Sequence, residues 1–426
     1  MHIAVINRWP RFHTGPRWDF SLGRFEDLIN HQHHQVSYIV DAVGATGVLA
    51  DPAQIADLVE IADLSDFEAV CGAVQKITDH VGPVDRIVAV SEATLAIAAE
   101  VREALGIPGP RPEDVALYRN KLRMKEAVAE AGIRAPRFAS CDSAESTAES
   151  TAESAVDSAM DFARATGFPL ILKPVSGAGS RGVHRVEDEA ALTTLLEQID
   201  TGDYELEEYI EGPIYHVDGF VGEDSRIPFM AVSRYVNDCL AFEAAGQPLG
   251  SVIVQASPLR SRVEEFARKC VAALNMASMP FHLELFVTAE EDLVFLEIAG
   301  RIGGAEVPYL TEKVFGINLF EPWLAAFCDE KVTIPAVTGD PSGGWLIIPK
   351  PEDLPARVVT ATSMREKCPT IWRELVPEAG EVLPVGGSYD AVHSGRFILV
   401  GDEADVEEDI RRIIADFHIE TVRVSE

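Results

Sequence analysis

Residues Phe281–Gly304, FHLELFVTAEEDLVFLEIAGRIGG, leave the chain few choices. Two β-rich runs, His282–Thr288 and Leu293–Ala299, flank the polar centre Ala289-Glu290-Glu291-Asp292 and read as a β-hairpin. A symmetric loop pairs Thr288 with Leu293, Phe286 with Phe295 and Glu284 with Glu297. Side chains alternate faces along a strand, so Glu284 and Glu297 stand opposite each other, with Cβ atoms about 5 Å apart. Leu283, Leu285, Val287, Val294, Leu296 and Ile298 form the other face, which must cover a core. Like charges directly opposed destabilise a pair, so this one calls for a cation. Hard oxygen ligands suit Mg²⁺, which typically takes one or two carboxylates plus substrate phosphates. Arg301 has the same parity and aims a further cation into that space. The competing reading is a solvent-facing strand pair with scattered glutamates.

Upstream, strands at 2–7, 36–40 and 84–90 alternate with helices around Asp19–Ile29, at about 52–81 and at 92–105, which indicates a doubly wound parallel α/β unit. Asn7-Arg8-Trp9-Pro10 follows the first strand, so no dinucleotide fingerprint stands there. The breaker-rich Gly106–Pro112 closes this first domain, 1–112. A helix, Glu113–Ala131, comes next. Then 141–159, with its Ser-Thr-Ala-Glu repeats, reads as a low-complexity linker or loose helix start. Strands at 168–174, 183–186, 204–210, 214–222, 227–236 and 251–257 lead to a helix at about 260–275 and the hairpin. A helix at 318–328 ends the second domain, 113–335, in which about 168–212 forms a flap. The tail, 336–426, mixes strands at 345–348, 397–400 and 420–424 with a helix at 403–417, a small α+β extension.

A net charge of −33 argues against nucleic acid or an anionic membrane as partner. An acidic chain that holds a polyanion needs Mg²⁺ and a few placed cations. No apolar run reaches 18 residues and the six cysteines form no CxxC, which together predict a cytoplasmic protein with reduced thiols. The cluster His31, His33, His34 fits no metal spacing and reads as a solvated helix end.

Gly177-Ala178-Gly179-Ser180-Arg181-Gly182 matches GxGxxG, but a strand follows it and no βαβ unit frames it. Between two strands it reads as a flap whose N–H groups close over phosphates, or else a plain hairpin turn. Lys173 lies on an apolar strand four residues earlier and needs a counter-charge, since burying an unpaired ammonium is costly. Lys121, by itself, reads as a surface lysine on a helix.

Taken together, Asn120-Lys121, Ile171-Leu172-Lys173-Pro174 with SGAGSRG, Leu206-Glu207-Glu208-Tyr209-Ile210, Glu284 and Glu297-x-x-x-Arg301 resemble the ATP-grasp superfamily over about residues 113–330. The resemblance implies that Lys121 and Lys173 contact the phosphates of ATP, under a flap including Ser176, Gly177, Gly179, Ser180 and Gly182. It implies that backbone groups of Glu208 and Ile210 meet the adenine edge while the Glu207 carboxylate takes the amino group. Glu284 and Glu297 then ligate Mg²⁺, with Mn²⁺ able to substitute, and Arg301 stabilises the transferring phosphate or a substrate carboxylate. Ala299 stands where many members carry a third metal ligand, Asn. HVDGF (216–220), FHLELFV and EIAGRIGG look more like L-amino-acid ligases and related carboxylate–amine ligases than biotin carboxylases. That branch implies an ADP-forming ligase joining a carboxylate to an amine, amino acids above all, through an acyl phosphate, and by analogy a homodimer. His282 shares the Glu284 face and is a candidate substrate contact or a structural hydrogen bond. The alternatives are an ATP-grasp carboxylase or purine-biosynthesis-type ligase, a nucleotide-binding regulator without catalysis and, on the GxGxxG match, a nicotinamide dehydrogenase. Ile302-Gly303-Gly304-Ala305 offers small residues where backbone could approach an acceptor.

Overall fold

The computed structural model describes residues 1–10, 21–141, 152–177, 179–237, 240, 242, 246–385 and 393–424. Its first sheet is fully parallel, built from β1 (His2–Asn7), β2 (Gln35–Val40), β3 (Ile55–Glu60) and β4 (Arg86–Val88) in the order β3-β2-β1-β4. β1 is buried throughout, as a central parallel strand covered on both faces must be. β3 interrupts the run expected to be helical. It is an edge strand with half its residues exposed, so its apolar pattern is weak, and the helix starts only at Phe67. Around Asp19–Ile29 the described part is a 3₁₀ turn, Ser21–Gly23, and one helical turn, Phe25–Leu28.

The helix expected over Glu113–Ala131 is two. Pro112–Ala116 ends before Asn120, whose side chain accepts from the N–H groups of Leu122 and Arg123 and starts a new helix, Lys121–Glu130. Most of the Ser-Thr-Ala-Glu stretch lies outside the described residues, and a helix runs over Ala152–Thr166. A four-stranded antiparallel sheet follows: β5 (Phe138–Ser140), β6 (Leu170–Pro174), β7 (His184–Val186) and β8 (Tyr204–Glu208), ordered β5-β8-β6-β7.

The large sheet contains β9 (Ile214–Val221), β10 (Phe229–Asn237), β11 (Leu249–Ile253), β12 (Met279–Val287) and β13 (Leu293–Ala299), joined from the tail by β14 (Gly343–Pro349). After it come β15 (Ala356–Ala361), β16 (Ile371–Leu375), β17 (Val382–Leu383), β18 (His393–Val400) and β19 (Ile419–Arg423). The large sheet runs β13-β12-β9-β10-β11-β14-β18-β16, and β17-β15-β19 form a separate small one. The tail is therefore woven into the central sheet along β11, rather than simply appended. A helix not anticipated, Val307–Phe315, follows the glycine pair and ends at Gly316 in the left-handed region, φ 70°.

β12 and β13 form the hairpin, and Glu284 faces Glu297 in its register. Beyond that pair the register differs from the symmetric reading: Leu285 faces Phe295 and Phe286 faces Val294. Glu291 adopts φ 61°, and the Thr288 N–H donates to the Asp292 carbonyl at 3.0 Å. This tighter turn leaves one extra residue on β13, a bulge at Leu296. Phe295 thus enters the core in place of Leu296, which moves to the other face with Glu297.

Candidate active site

A cleft opens between the four-stranded sheet and the hairpin side of the large sheet. Lys121, Lys173, Gly177, Gly179, Ser180, Glu207, Glu208, Ile210, Glu284 and Glu297 all line it. Ser176, Gly182, His282 and Arg301 are not part of its wall. Apolar Ile171, Val183, Phe286 and Leu296 are also part of its lining.

The glycine loop joins β6 to β7, so a strand does follow it. Gly177 (φ 153°), Gly179 (φ 69°) and Gly182 (φ 71°) adopt backbone that side chains rarely tolerate, and Ser180 joins them at 56°. A Cβ on Gly182 would also meet the Tyr204 hydroxyl at 2.9 Å. Lys121 is buried, not the surface lysine its helix suggested. Its Nζ donates to the Gly177 carbonyl at 3.0 Å and lies 3.3 Å from Glu297 Oε2, tying the loop to the hairpin.

Lys173 finds its counter-charge in Glu207, at 2.5 Å. The alternation along β8 puts Glu205 on the same face, and Lys125, one turn beyond Lys121, bonds to both carboxylates. All four side chains are buried. Burial alone would raise Glu207, but Lys125 and Lys173 outweigh it and hold it low. Burial likewise opposes the charge on Lys173, yet Glu207 and Glu205 push it up to about 12. Glu205 is less well compensated: burial, only partly offset by Lys125, pushes it up to about 7, and its buried Oε2 has no partner. Sequence reasoning missed Lys125 and Glu205, although the i,i+4 spacing from Lys121 and the i−2 spacing from Glu207 carried the signal. Glu207, expected to take an amino group of the base, is held by two ammoniums in this structure. The Glu208 N–H donates to the Arg137 carbonyl at 2.8 Å.

The two hairpin glutamates do not confront each other unscreened. Glu297 has Lys121, while Glu284 Oε1 accepts from the Tyr235 hydroxyl at 2.8 Å and from His282 Nε2 at 3.3 Å. Their repulsion therefore loses its force as evidence for a metal. His282 Nδ1 bonds to Asp218 at 2.8 Å, and Asp218 also bonds to His216 at 2.6 Å. Burial opposes a charged imidazole, but Asp218 outweighs it and raises His282 to about 9. Burial would raise Glu284, and His282 overrides that to hold it low. Both ring nitrogens of His282 are thus engaged by carboxylates, and the side chain secures Glu284 instead of facing the cleft. His216, Asp218 and His282 have ligand atoms within 4.8 Å of one another, a metal-like grouping, yet the facing atoms are in mutual hydrogen bonds. The donor set still fits Mg²⁺: two hard carboxylates share the cleft with two lysines, and Tyr235 and His282 both bond to the same Glu284 oxygen, Oε1. Ala299 pairs with His282 and offers no ligand.

Arg301 reaches across to the N-terminal unit, where its Nε donates to Glu92 Oε2 at 2.9 Å. Arg119 bonds to the other oxygen. Burial would raise Glu92, but Arg301 and Arg119 together hold it below its ordinary range. Glu92 sits just past β4, at the carboxyl end of a parallel sheet, where open α/β folds place ligands. None of Ile302–Ala305 lines the cleft. Gly303 lies against Asp218 and His282, and Ala305 packs beside the Tyr235 cluster.

Residues 166–308 match the family described as an ATP-grasp domain. An L-arginine-specific L-amino acid ligase of Bacillus subtilis is 28% identical over 301 residues, 68% of this chain and 68% of that protein. The crystal structure of an L-amino acid ligase from Bacillus licheniformis superposes with TM-score 0.71 at 18% identity, covering 100% of this chain and 99% of that one. That of N5-carboxyaminoimidazole ribonucleotide synthetase from Thermotoga maritima gives 0.64 at 17% identity, over 100% and 99%. At such identities the structural likeness speaks for the fold alone. That fold is the ATP-grasp fold expected from the motifs, and no helix among the described residues is long and apolar enough to cross a membrane.

Proposed function

We propose that this chain, which carries an ATP-grasp domain, is an ATP-dependent carboxylate–amine ligase that joins amino acids through an acyl phosphate. The supporting observation is the convergence of Lys121, Lys173, Glu284 and Glu297 on one cleft beneath a glycine hairpin. The donor carboxylate oxygen attacks the γ-phosphorus of ATP, and the bond from that phosphorus to the β-phosphate oxygen breaks, giving acyl phosphate and ADP. The acceptor amine then attacks the acyl carbon, phosphate departs and the amine loses a proton.

Lys121 and Lys173 hold phosphate oxygens, and the loop N–H groups close over them. Glu284 and Glu297 would hold Mg²⁺, which when bound neutralises charge on the β- and γ-phosphates. Arg301 and Arg119 carry one positive charge more than Glu92 cancels, so this seam suits a substrate carboxylate or the transferred phosphoryl group. Tyr235 and His282 keep the Glu284 carboxylate aimed. Catalysis in this scheme is positioning and charge stabilisation, with no protein nucleophile.

The test is a screen of amino-acid pairs for ADP release, with hydroxylamine replacing the amine in a second arm. Amide product with equivalent ADP, and hydroxamate from the trapped donor, are expected. ADP release that needs bicarbonate and no amino acid would move the chain to the carboxylases. AMP with pyrophosphate would overturn γ-phosphoryl transfer altogether.

A further inference from the structure

The four buried charges beside the cleft form two layers. Lys173 and Glu207 line its wall, whereas Lys125 and Glu205 lie behind them and do not. The Lys125 side chain is 0% exposed, so it cannot itself touch a nucleotide. Its ammonium lies 2.7 Å from Glu205 Oε1, bonds to Glu207 Oε1, and sits 4.9 Å from the centre of the Phe138 ring. Lys173 approaches that same Glu207 oxygen at 2.5 Å but stands 3.9 Å from Glu205. Two ammoniums therefore converge on one oxygen, one from the front and one from the rear.

We propose that Lys125 is a positioning residue for nucleotide binding, the standing counter-ion of Glu207 that allows Lys173 to turn from Glu207 to a phosphate. This rests on the ATP reading given above. If Lys173 moves to a phosphate, Glu207 loses one of its two cations while 2% exposed. With Lys125 behind it, the carboxylate stays paired. Without Lys125, departure of Lys173 would strand a buried anion, and that penalty would oppose every phosphate brought to the site. Lys173 would then remain on Glu207. The rear layer serves the front one, and its effect appears only with ligands that carry phosphate.

The experiment compares ADP (with Mg²⁺) and adenosine binding by calorimetry, using the full chain. The variants are Lys125→Arg, Lys125→Met and Lys125→Met with Glu207→Gln. The quantity read is the ratio of the two dissociation constants, which cancels any shared loss of base contacts at Glu207. Lys125→Met should raise the ADP-to-adenosine ratio about ten-fold, the effect of losing roughly one hydrogen bond to a charged group. Lys125→Arg should stay near the wild type. Adding Glu207→Gln should return the ratio to within about three-fold of the wild type, because a neutral amide makes no claim on Lys173. If Lys125→Met does not fold, Lys125→Gln, a neutral side chain of similar length, takes its place with the same expected rise. A ratio unchanged in Lys125→Met, or raised ten-fold in the double variant, overturns the proposal. A wild type that binds neither ligand overturns the nucleotide reading and this proposal with it.

Discussion

Gly303→Ala should be severely destabilising, while Gly304→Ala next to it should be almost silent. A Cβ on Gly303 would lie 2.3 Å from Asp218 Oδ1, 2.8 Å from Val307 Cγ1 and 3.1 Å from His282 Nδ1. Carbon and oxygen settle at about 3.3–3.6 Å, so Asp218 would have to retreat by about 1 Å. It has nowhere to go: it is 2% exposed and held by His216 at 2.6 Å and His282 at 2.8 Å. Overpacking of this kind costs about 1–3 kcal/mol. Breaking the Asp218–His282 bond adds about 1.5–3 kcal/mol, because both partners are charged. Together these give about 2.5–6 kcal/mol for Gly303→Ala. A Cβ on Gly304 meets nothing within 4 Å, so its replacement should stay within about 0.5 kcal/mol. Urea unfolding followed by circular dichroism measures both variants, and nucleotide binding should weaken in Gly303→Ala as Glu284 loses its anchor. Equal midpoints would refute the steric reasoning. A Gly303→Ala protein of normal stability that has lost only amide formation would restore the simpler view that this glycine makes room for a substrate.

Glu297→Gln should abolish Mg²⁺-dependent turnover and leave the fold intact, because the apolar side of the hairpin is untouched; near-normal rates at saturating Mg²⁺ would remove Glu297 from the metal site. Glu92 should contribute to acid stability. Burial raises it, but Arg301 and Arg119 more than compensate and keep it below the ordinary 4.5, so its contribution is present above about pH 4.5 and is lost as pH falls through the lowered value. Glu92→Gln should therefore lose stability less steeply than the wild type on acidification below pH 5, and parallel melting curves would contradict the ion pair. Amide exchange at Gly177 and at Gly179–Gly182 should slow on adding ATP with Mg²⁺, since ordering glycines is entropically costly and phosphates supply the missing contacts. Identical protection with and without nucleotide would leave the loop a plain hairpin turn.

How much of this was legible in the sequence follows from the range of the forces involved. The Glu284–Glu297 pairing depends on strand alternation, a local rule, and it holds. The register past it does not, because the turn chose a left-handed Glu291 and β13 absorbed the difference at Leu296. That slip placed Leu296 in the cleft and Phe295 in the core, a choice no alternation rule makes. Lys173 was recognisable as a buried cation wanting a partner. Lys125 was not, because a lysine in KLRMK looks solvated until β8 is laid beside it. The links from Asp218 to His282 and from Glu92 to Arg301 were hidden for the same reason: they span 64 and 209 residues. Gly303 carried a signal with two readings, since a glycine that yields to a buried carboxylate and one that yields to a substrate look alike in sequence, and only the fold shows Asp218 and His282 against it.

The attachment of the tail to the central sheet bears on how the chain is made. One edge of β11 pairs with β10 at once, but Leu249–Val252 on its other edge must wait for Gly344–Ile347. During synthesis, a nascent chain that has passed Arg301 holds every side chain proposed to touch ATP, yet it carries an open, buried-type strand edge with no partner in reach. Such an edge pairs readily with any other extended chain. Fragments ending between 302 and 342 should therefore accumulate as aggregates, and recovery of the protein from a ribosome should depend on whatever shields β11 during the interval before β14 emerges.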